Sequence, residues 1–174
     1  MLYEFRGVRP KYGENTYISE TAVIIGNVEI ESNCYIGHGA ILRGDYGKII
    51  IGEGTAVEEG VIVHSPPGET AYIGKKVTLG HGAILHGKEI GDNAVVGMGA
   101  VLSIFSEVGQ RAIIAEGSVV KMRQVVPEYQ VFAGNPAVFA RNVEKRDIDF
   151  WDFAKQLYID LAKEYLENGM KLVF

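Results

Sequence analysis

IGDNAV VGMGAV LSIFSE VGQRAI IAEGSV VKMRQV VPEYQV, residues 90–131, restarts on an aliphatic residue every six positions: Ile90, Val96, Leu102, Val108, Ile114, Val120 and Val126. The same register continues forward to Phe132. Backward, it runs through Ile73, Leu79 and Leu85, through Ile51, Val57 and Val63, and through Ile18, Ile24, Ile30, Ile36 and Leu42, nineteen hexads in all. Position five is usually small, as at Ala22, Val28, Cys34, Ala40, Val61, Val77, Ala83, Ala94, Ala100, Ala112 and Ser118. A period of six matches neither the helical repeat of 3.6 nor the alternation of a long strand. It fits short strands joined by tight turns, with positions one and five facing a common core. Such a repeat means an all-β solenoid, each unit burying its apolar face only against its neighbours.

Composition bounds the rest. The 174 residues are 47% hydrophobic and 22% charged, with a net charge of −5, values of a soluble globular domain. An acidic chain without a clustered basic face is not a nucleic-acid binder. No stretch is apolar and long enough for a signal peptide or a membrane span, so a cytoplasmic protein is expected. Cys34 is the single cysteine and stands at position five, so it reads as a small core residue. After Phe132 the segment AGNPA (133–137) breaks the repeat with Gly and Pro. A helix is predicted from about Ile148 to Asn168, stopped by Gly169, with Phe150, Ala154, Leu157, Leu161 and Tyr165 as its apolar stripe. The expected organisation is a β-helix domain over residues 1–137 and a helical extension over 138–174 packing on it.

The interruptions of the register carry the chemistry. Extra residues fall between Leu42 and Ile51 (RGDYGK) and between Val63 and Ile73 (HSPPGETAY), and one is missing between Leu85 and Ile90 (HGKE). Insertions in a solenoid map to loops and commonly to the working surface. The hexads resemble those of left-handed parallel β-helices, and that resemblance implies three hexads per triangular coil, so that Leu42, Val63 and Leu85 begin hexads on one side of the prism in successive coils. The residues that follow them, Arg43, His64 and His86, then stack at the strand spacing of roughly 4.8 Å. That separation suits two imidazoles sharing a metal. His81 sits at position three of the preceding hexad, on another side, and does not reach the same point within its own chain. Two readings follow: surface histidines with no shared ligand, or an open three-histidine metal site completed by a neighbouring subunit. A triangular prism favours a closed threefold ring for the latter. His38 shares the side of His81 and Glu59, two coils below His81, roughly 9–10 Å away and too far for the same metal.

RGDYGKI (43–49), VIVH (61–64) and LGHGAILHGKEIGDNAVVGMGA (79–100) resemble the γ-class carbonic anhydrases and their relatives, including the ferripyochelin-binding-protein-like subgroup, over nearly the whole chain. The resemblance implies a left-handed parallel β-helix of triangular coils, here about six, plus a C-terminal α-helix. It implies a homotrimer with Zn2+ (or Fe2+ or Co2+) at subunit interfaces, ligated by His64, His81 and His86. It also implies an Arg43–Asp45 ion pair across the interface, ordering the site and bicarbonate or serving the interface alone. The implied reaction is reversible hydration of CO2 to bicarbonate by a metal-bound hydroxide, a lyase activity. Hexapeptide acyltransferases and thioesterases that use CoA share the repeat without this trio and stand as the alternative, as does a catalytically weak metal-binding scaffold.

Two departures bear on activity. The family commonly carries Asn-x-Gln-Asp before the first ligand, where this chain reads Ala56-Val57-Glu58-Glu59. Glu58 replaces a glutamine that orients the metal hydroxide; its carboxylate could hydrogen-bond the water, act as a base, coordinate the metal, or be a plain turn residue. Negative charge there would raise the pKa of a bound water. The loop SPPGETAY (65–72) is short, with Glu69 its only carboxylate, and lacks the longer acidic insertion that carries a proton-shuttling glutamate. Tyr158 stands where relatives place a helix tyrosine near the site, and packing explains it equally well.

Overall fold

A computed structural model describes residues 1–173 and shows the solenoid that the hexads demand. Most strands are two residues long and pair in parallel with the strand one coil away. The position-one residues form three continuous columns. Ile18, Ile36, Val57, Leu79, Val96, Ile114 and Phe132 stack on the first face. Ile24, Leu42, Val63, Leu85, Leu102 and Val120 stack on the second. Ile30, Ile51, Ile73, Ile90, Val108 and Val126 stack on the third. Almost all are buried, and they merge with the small position-five residues into one core. Burying each such side chain contributes about 1.5–3 kcal/mol, and a stack of identical short units converts that into a rigid prism. The expected left-handed parallel β-helix of hexapeptide repeats is the fold of this chain.

There are about 7 turns rather than six. The additional rung comes from outside the hexad register: Leu2–Tyr3 pairs with Ile24–Ile25, and Lys11–Tyr12 pairs with Glu29–Ile30. Both of these strands are exposed, so they cap the open end of the core without carrying the apolar pattern that marks the other rungs.

The glycine after position one has a steric cause. At Gly80, a Cβ would lie 2.8 Å from the Met98 nitrogen and 3.0 Å from the Val96 carbonyl oxygen of the next coil. Two residues on, Gly82 turns the corner at φ +68°, which side-chain-bearing residues seldom adopt. These two glycines place His81 between them on a corner and not on a strand.

The helix, α1, spans Lys145–Asn168, starting three residues before the expected Ile148. The Asp147 carboxylate accepts the Glu144 N–H at 2.8 Å and pairs with Arg141 at 2.6 Å, and this cap starts the helix early. Gly169, at φ 66°, ends it as expected, its N–H donating to the Tyr165 carbonyl at 3.0 Å. The expected apolar stripe is wrong in part. Phe150 and Leu157 are exposed, whereas Lys155 and Ala162 are the buried residues. The helix is rotated because it meets a wall of tyrosines, Tyr17 and Tyr35 of the first face, against which Tyr158, Leu161 and Tyr165 pack. Tyr17 stacks on Tyr35 at 5.5 Å and on Tyr165 at 4.4 Å. Among the described residues no helix is long and apolar enough to cross a membrane.

Candidate metal centre

The second face presents Arg43, His64 and His86 on adjacent rungs, as the register requires. Arg43 pairs with His64, and Val63 with Leu85 immediately before the two histidines. The imidazoles of His64 and His86 lie tilted with centroids 4.9 Å apart, and His64 Nδ1 stands 3.1 Å from His86 Nε2. For a tetrahedral ion with metal–nitrogen bonds of about 2.0–2.1 Å, two ligand nitrogens stand about 3.3–3.4 Å apart, so this pair fits one edge of such a site. The other nitrogen of His64 lies 3.2 Å from Asp45 Oδ1, and Arg43 Nη1 donates to Asp45 Oδ2 at 2.7 Å. A carboxylate behind an imidazole fixes its tautomer and ring plane, the usual support of a metal-ligating histidine. Within the chain, Arg43 and Asp45 form a salt bridge at 2.7 Å.

Electrostatics keep this cluster ready for a cation. Burial pushes the pKa of His86 down, and repulsion from His64 and Arg43 adds to it, so the neutral ligand form is favoured. Partial burial works against ionisation of Asp45, but the hydrogen bond and charge of Arg43, with His64 in support, outweigh it and hold Asp45 below the usual carboxylate range.

His81 stands elsewhere, on the corner after the first-face strand Thr78–Leu79. Its Nδ1 lies 2.7 Å from Glu59 Oε2, its Nε2 lies 3.1 Å from Glu58 Oε2, and its backbone N–H donates to Glu58 Oε2 at 3.0 Å. Glu59 also accepts the Tyr35 hydroxyl at 2.7 Å, and the Tyr158 side chain bonds Glu58. Glu58 is 5% exposed while the His81 side chain is 47% exposed. Burial raises the pKa of Glu58, against the pull of His81 and the Tyr158 hydrogen bond. For Glu59 burial pushes the same way, yet the Tyr35 hydrogen bond and His81 prevail and the pKa falls. Burial, reinforced by Glu58, pushes the Tyr158 phenol well above its ordinary range.

Two separate polar clusters therefore lie on one chain. Arg43, Asp45, His64 and His86 come together, Glu58, His81 and Tyr158 come together, and the two sets sit on different faces. Among the described residues no group of three or more His, Cys, Asp or Glu side chains is arranged to hold a metal ion. The pair His64–His86 fits two positions of a nitrogen-rich site. Glu59 and Tyr35 were not singled out as site residues; the one-rung spacing of Glu59 below His81 was the available signal for the first. His38 bonds Ser19 Oγ through Nδ1 at 2.6 Å and takes no part in either set. Cys34 is fully buried, and burial pushes its thiol up to about 12, as befits an inert core residue.

Comparison with known proteins agrees with this architecture. Residues 13–44 match the family profile "Bacterial transferase hexapeptide (six repeats)" and residues 71–103 match "Hexapeptide repeat of succinyl-transferase". The chain is 38% identical over 160 residues to the carnitine operon protein CaiE of Citrobacter koseri, covering 92% of this chain and 81% of that protein. It is 33% identical over 168 residues to Gamma carbonic anhydrase 2, mitochondrial, of Arabidopsis thaliana, covering 93% of this chain but 60% of the plant protein's length. Among solved structures, a hexapeptide transferase family protein of Anaplasma phagocytophilum superposes with a TM-score of 0.90 at 35% identity, covering 94% of this chain and 97% of that one. An acetyltransferase candidate from Bacillus cereus gives a TM-score of 0.92 at 26% identity, over 95% and 96% of the two chains. With this identity spread over nearly its whole length, the chain belongs to the γ-carbonic-anhydrase-like family of hexapeptide-repeat proteins.

Proposed function

We propose that the protein hydrates CO2 reversibly at sites shared between copies of the chain, His64 and His86 coming from one subunit and His81 from its neighbour. The observation that carries this reading is the 3.1 Å approach of His64 Nδ1 to His86 Nε2, with the third histidine held on a different face. A ring of three chains brings unlike faces together and closes. The second face supplies a surface for it: Ile62 and Ile84, one residue before the Val63–Leu85 pair, point outward and are 37% and 45% exposed. Apolar side chains beside a polar cluster suit an interface that buries both.

A divalent zinc, iron or cobalt ion, when bound, supplies Lewis acidity and makes a nucleophile available near neutral pH. This chain's own residues orient and support it. Asp45 holds the His64 ring from behind, Glu59 holds the Nδ1 side of His81, and Tyr158 holds Glu58. Glu58 Oε2, 3.1 Å from His81 Nε2, then places a carboxylate beside the reacting centre, where its negative charge opposes ionisation of the attacking water.

The test is metal content and CO2 hydration of the purified protein, with a complementation arm. His81→Ala and His86→Ala chains should each be inactive alone. After denaturation and co-refolding, random assortment leaves roughly a quarter of interfaces with all three histidines in a threefold ring, and activity should return in proportion. No activity from the mixture, with the wild type refolding well, would remove the shared site.

A second reading, transfer of acyl groups from a CoA thioester, draws on the transferase descriptions of the matched profiles and of the Anaplasma and Bacillus structures. It predicts acyl-CoA turnover that survives metal removal.

A further inference from the structure

A second polar site lies under α1, apart from both histidine sets. A cavity of about 170 Å³ is lined by Lys76, Asn93 and Arg111 from the prism and by Asp152, Lys155 and Gln156 from the helix, with Ile159 at its side. Lys76, Asn93 and Arg111 occupy the same corner of successive coils: the Asn93 N–H donates to the Lys75 carbonyl and the Arg111 N–H to the Asp92 carbonyl. All three have positive φ, 50°, 60° and 55°. That conformation is strained for Lys and Arg, whereas Asn tolerates it.

Lys155 is the decisive residue. It is 3% exposed, and among the described residues its ammonium has no hydrogen bond or ion pair, only the Trp151 ring at 5.3 Å. Asp152 is the sole carboxylate lining the cavity, and it is taken by Arg111, at 3.1 Å to Nη1 and 3.4 Å to Nη2. Three cations thus face one committed anion. Buried charges are ordinarily paired, so the cavity is short of negative charge.

We propose that this cavity binds a small oxyanion of phosphate or carboxylate type, held by Lys155 from the helix and by Lys76 and Arg111 from the prism corner. The Asn93 amide supplies a further donor, and the volume admits one such ion but not a nucleotide. Burial pushes the Lys155 pKa down to about 8, with repulsion from Arg111 adding to it and attraction to Asp152 opposing it. A bound anion reverses that balance. The site stands independently of the proposed metal chemistry.

The experiment is a titration of the full-length protein with inorganic phosphate and, separately, with acetate, read by calorimetry and by thermal unfolding, with chloride at matched ionic strength as control. The comparison variant is Lys155→Met, which keeps the side-chain volume, removes the buried charge and should fold at least as well. Saturable binding of phosphate or acetate is expected in the wild type, with Tm rising by about 3–6 °C at ten times Kd. Binding should weaken at least tenfold in Lys155→Met, and the stronger of the two ligands identifies tetrahedral or planar oxyanion preference. Equal affinity in the variant, or a chloride effect of the same size, would each overturn the proposal.

Discussion

The two histidine clusters take His81 and His86 from consecutive hexads, five residues apart, yet they present opposite chemistry. On the second face, His64 and His86 point nitrogens at one another across 3.1 Å, with a single carboxylate behind. On the first-face corner, both nitrogens of His81 are already next to carboxylates, at 2.7 Å and 3.1 Å. The first arrangement leaves a pair of nitrogens facing one another with no carboxylate between them, and is open; the second has both nitrogens engaged, and is shut. The open cluster and the shut one differ here by one strand of sequence, because they lie on different sides of a triangular prism.

The largest effect expected from breaking the open cluster is loss of the metal itself. His86→Ala should purify without stoichiometric zinc or iron by elemental analysis, while the fold, checked by circular dichroism, persists because His86 lies outside the core column. Full metal occupancy in that variant would dissociate the His64–His86 pair from any metal role.

The helix beside the shut cluster carries a cost that the open cluster does not share. Lys155 titrates near 8 in the folded chain against an ordinary 10.5. The unfolded chain therefore binds more protons between those values, and stability from this group should rise as pH goes from about 8 to 10.5, by up to about 3 kcal/mol. Below pH 8 the penalty is fully present. Chemical denaturation of Lys155→Met against wild type across pH 7–10.5 checks it: the variant should start more stable and lose its advantage at high pH. Parallel curves would mean that the folded Lys155 titrates normally.

Support behind the open cluster is sharpened by Asp45→Asn, which keeps the shape and removes the charge. Metal affinity should fall about 10–100-fold, measured by competition with a chelator. An unchanged affinity would make the Arg43–Asp45 pair purely structural.

The smallest expected effect lies in the shut cluster. Glu58→Gln should raise CO2 hydration at pH 7 about tenfold, since a carboxylate beside the centre shifts a neighbouring titration by roughly one unit. A drop in rate would instead identify Glu58 as the working base.

Much of this was legible from residue order. The core positions follow from a period of six, and the stacking of Arg43, His64 and His86 follows from counting the three hexads per coil that the family resemblance implies. The separation of His81 from that stack follows from the same count. The first rung escaped because Leu2–Tyr3 and Lys11–Tyr12 are exposed strands without the apolar pattern that marks a buried one. The helix face was misplaced because Phe150 and Leu157 look like core residues by periodicity, whereas the surface awaiting the helix is a polar-edged tyrosine wall.

The chain by itself determined the solenoid, its core positions and the residue types at each corner, because each hexad sees only its immediate neighbours and local pattern is enough. Tertiary structure alone decided the partners of Glu58, the burial of Lys155 and the cavity under α1. Those depend on how a helix of one period settles on a prism of another, and no single stretch of sequence contains that angle.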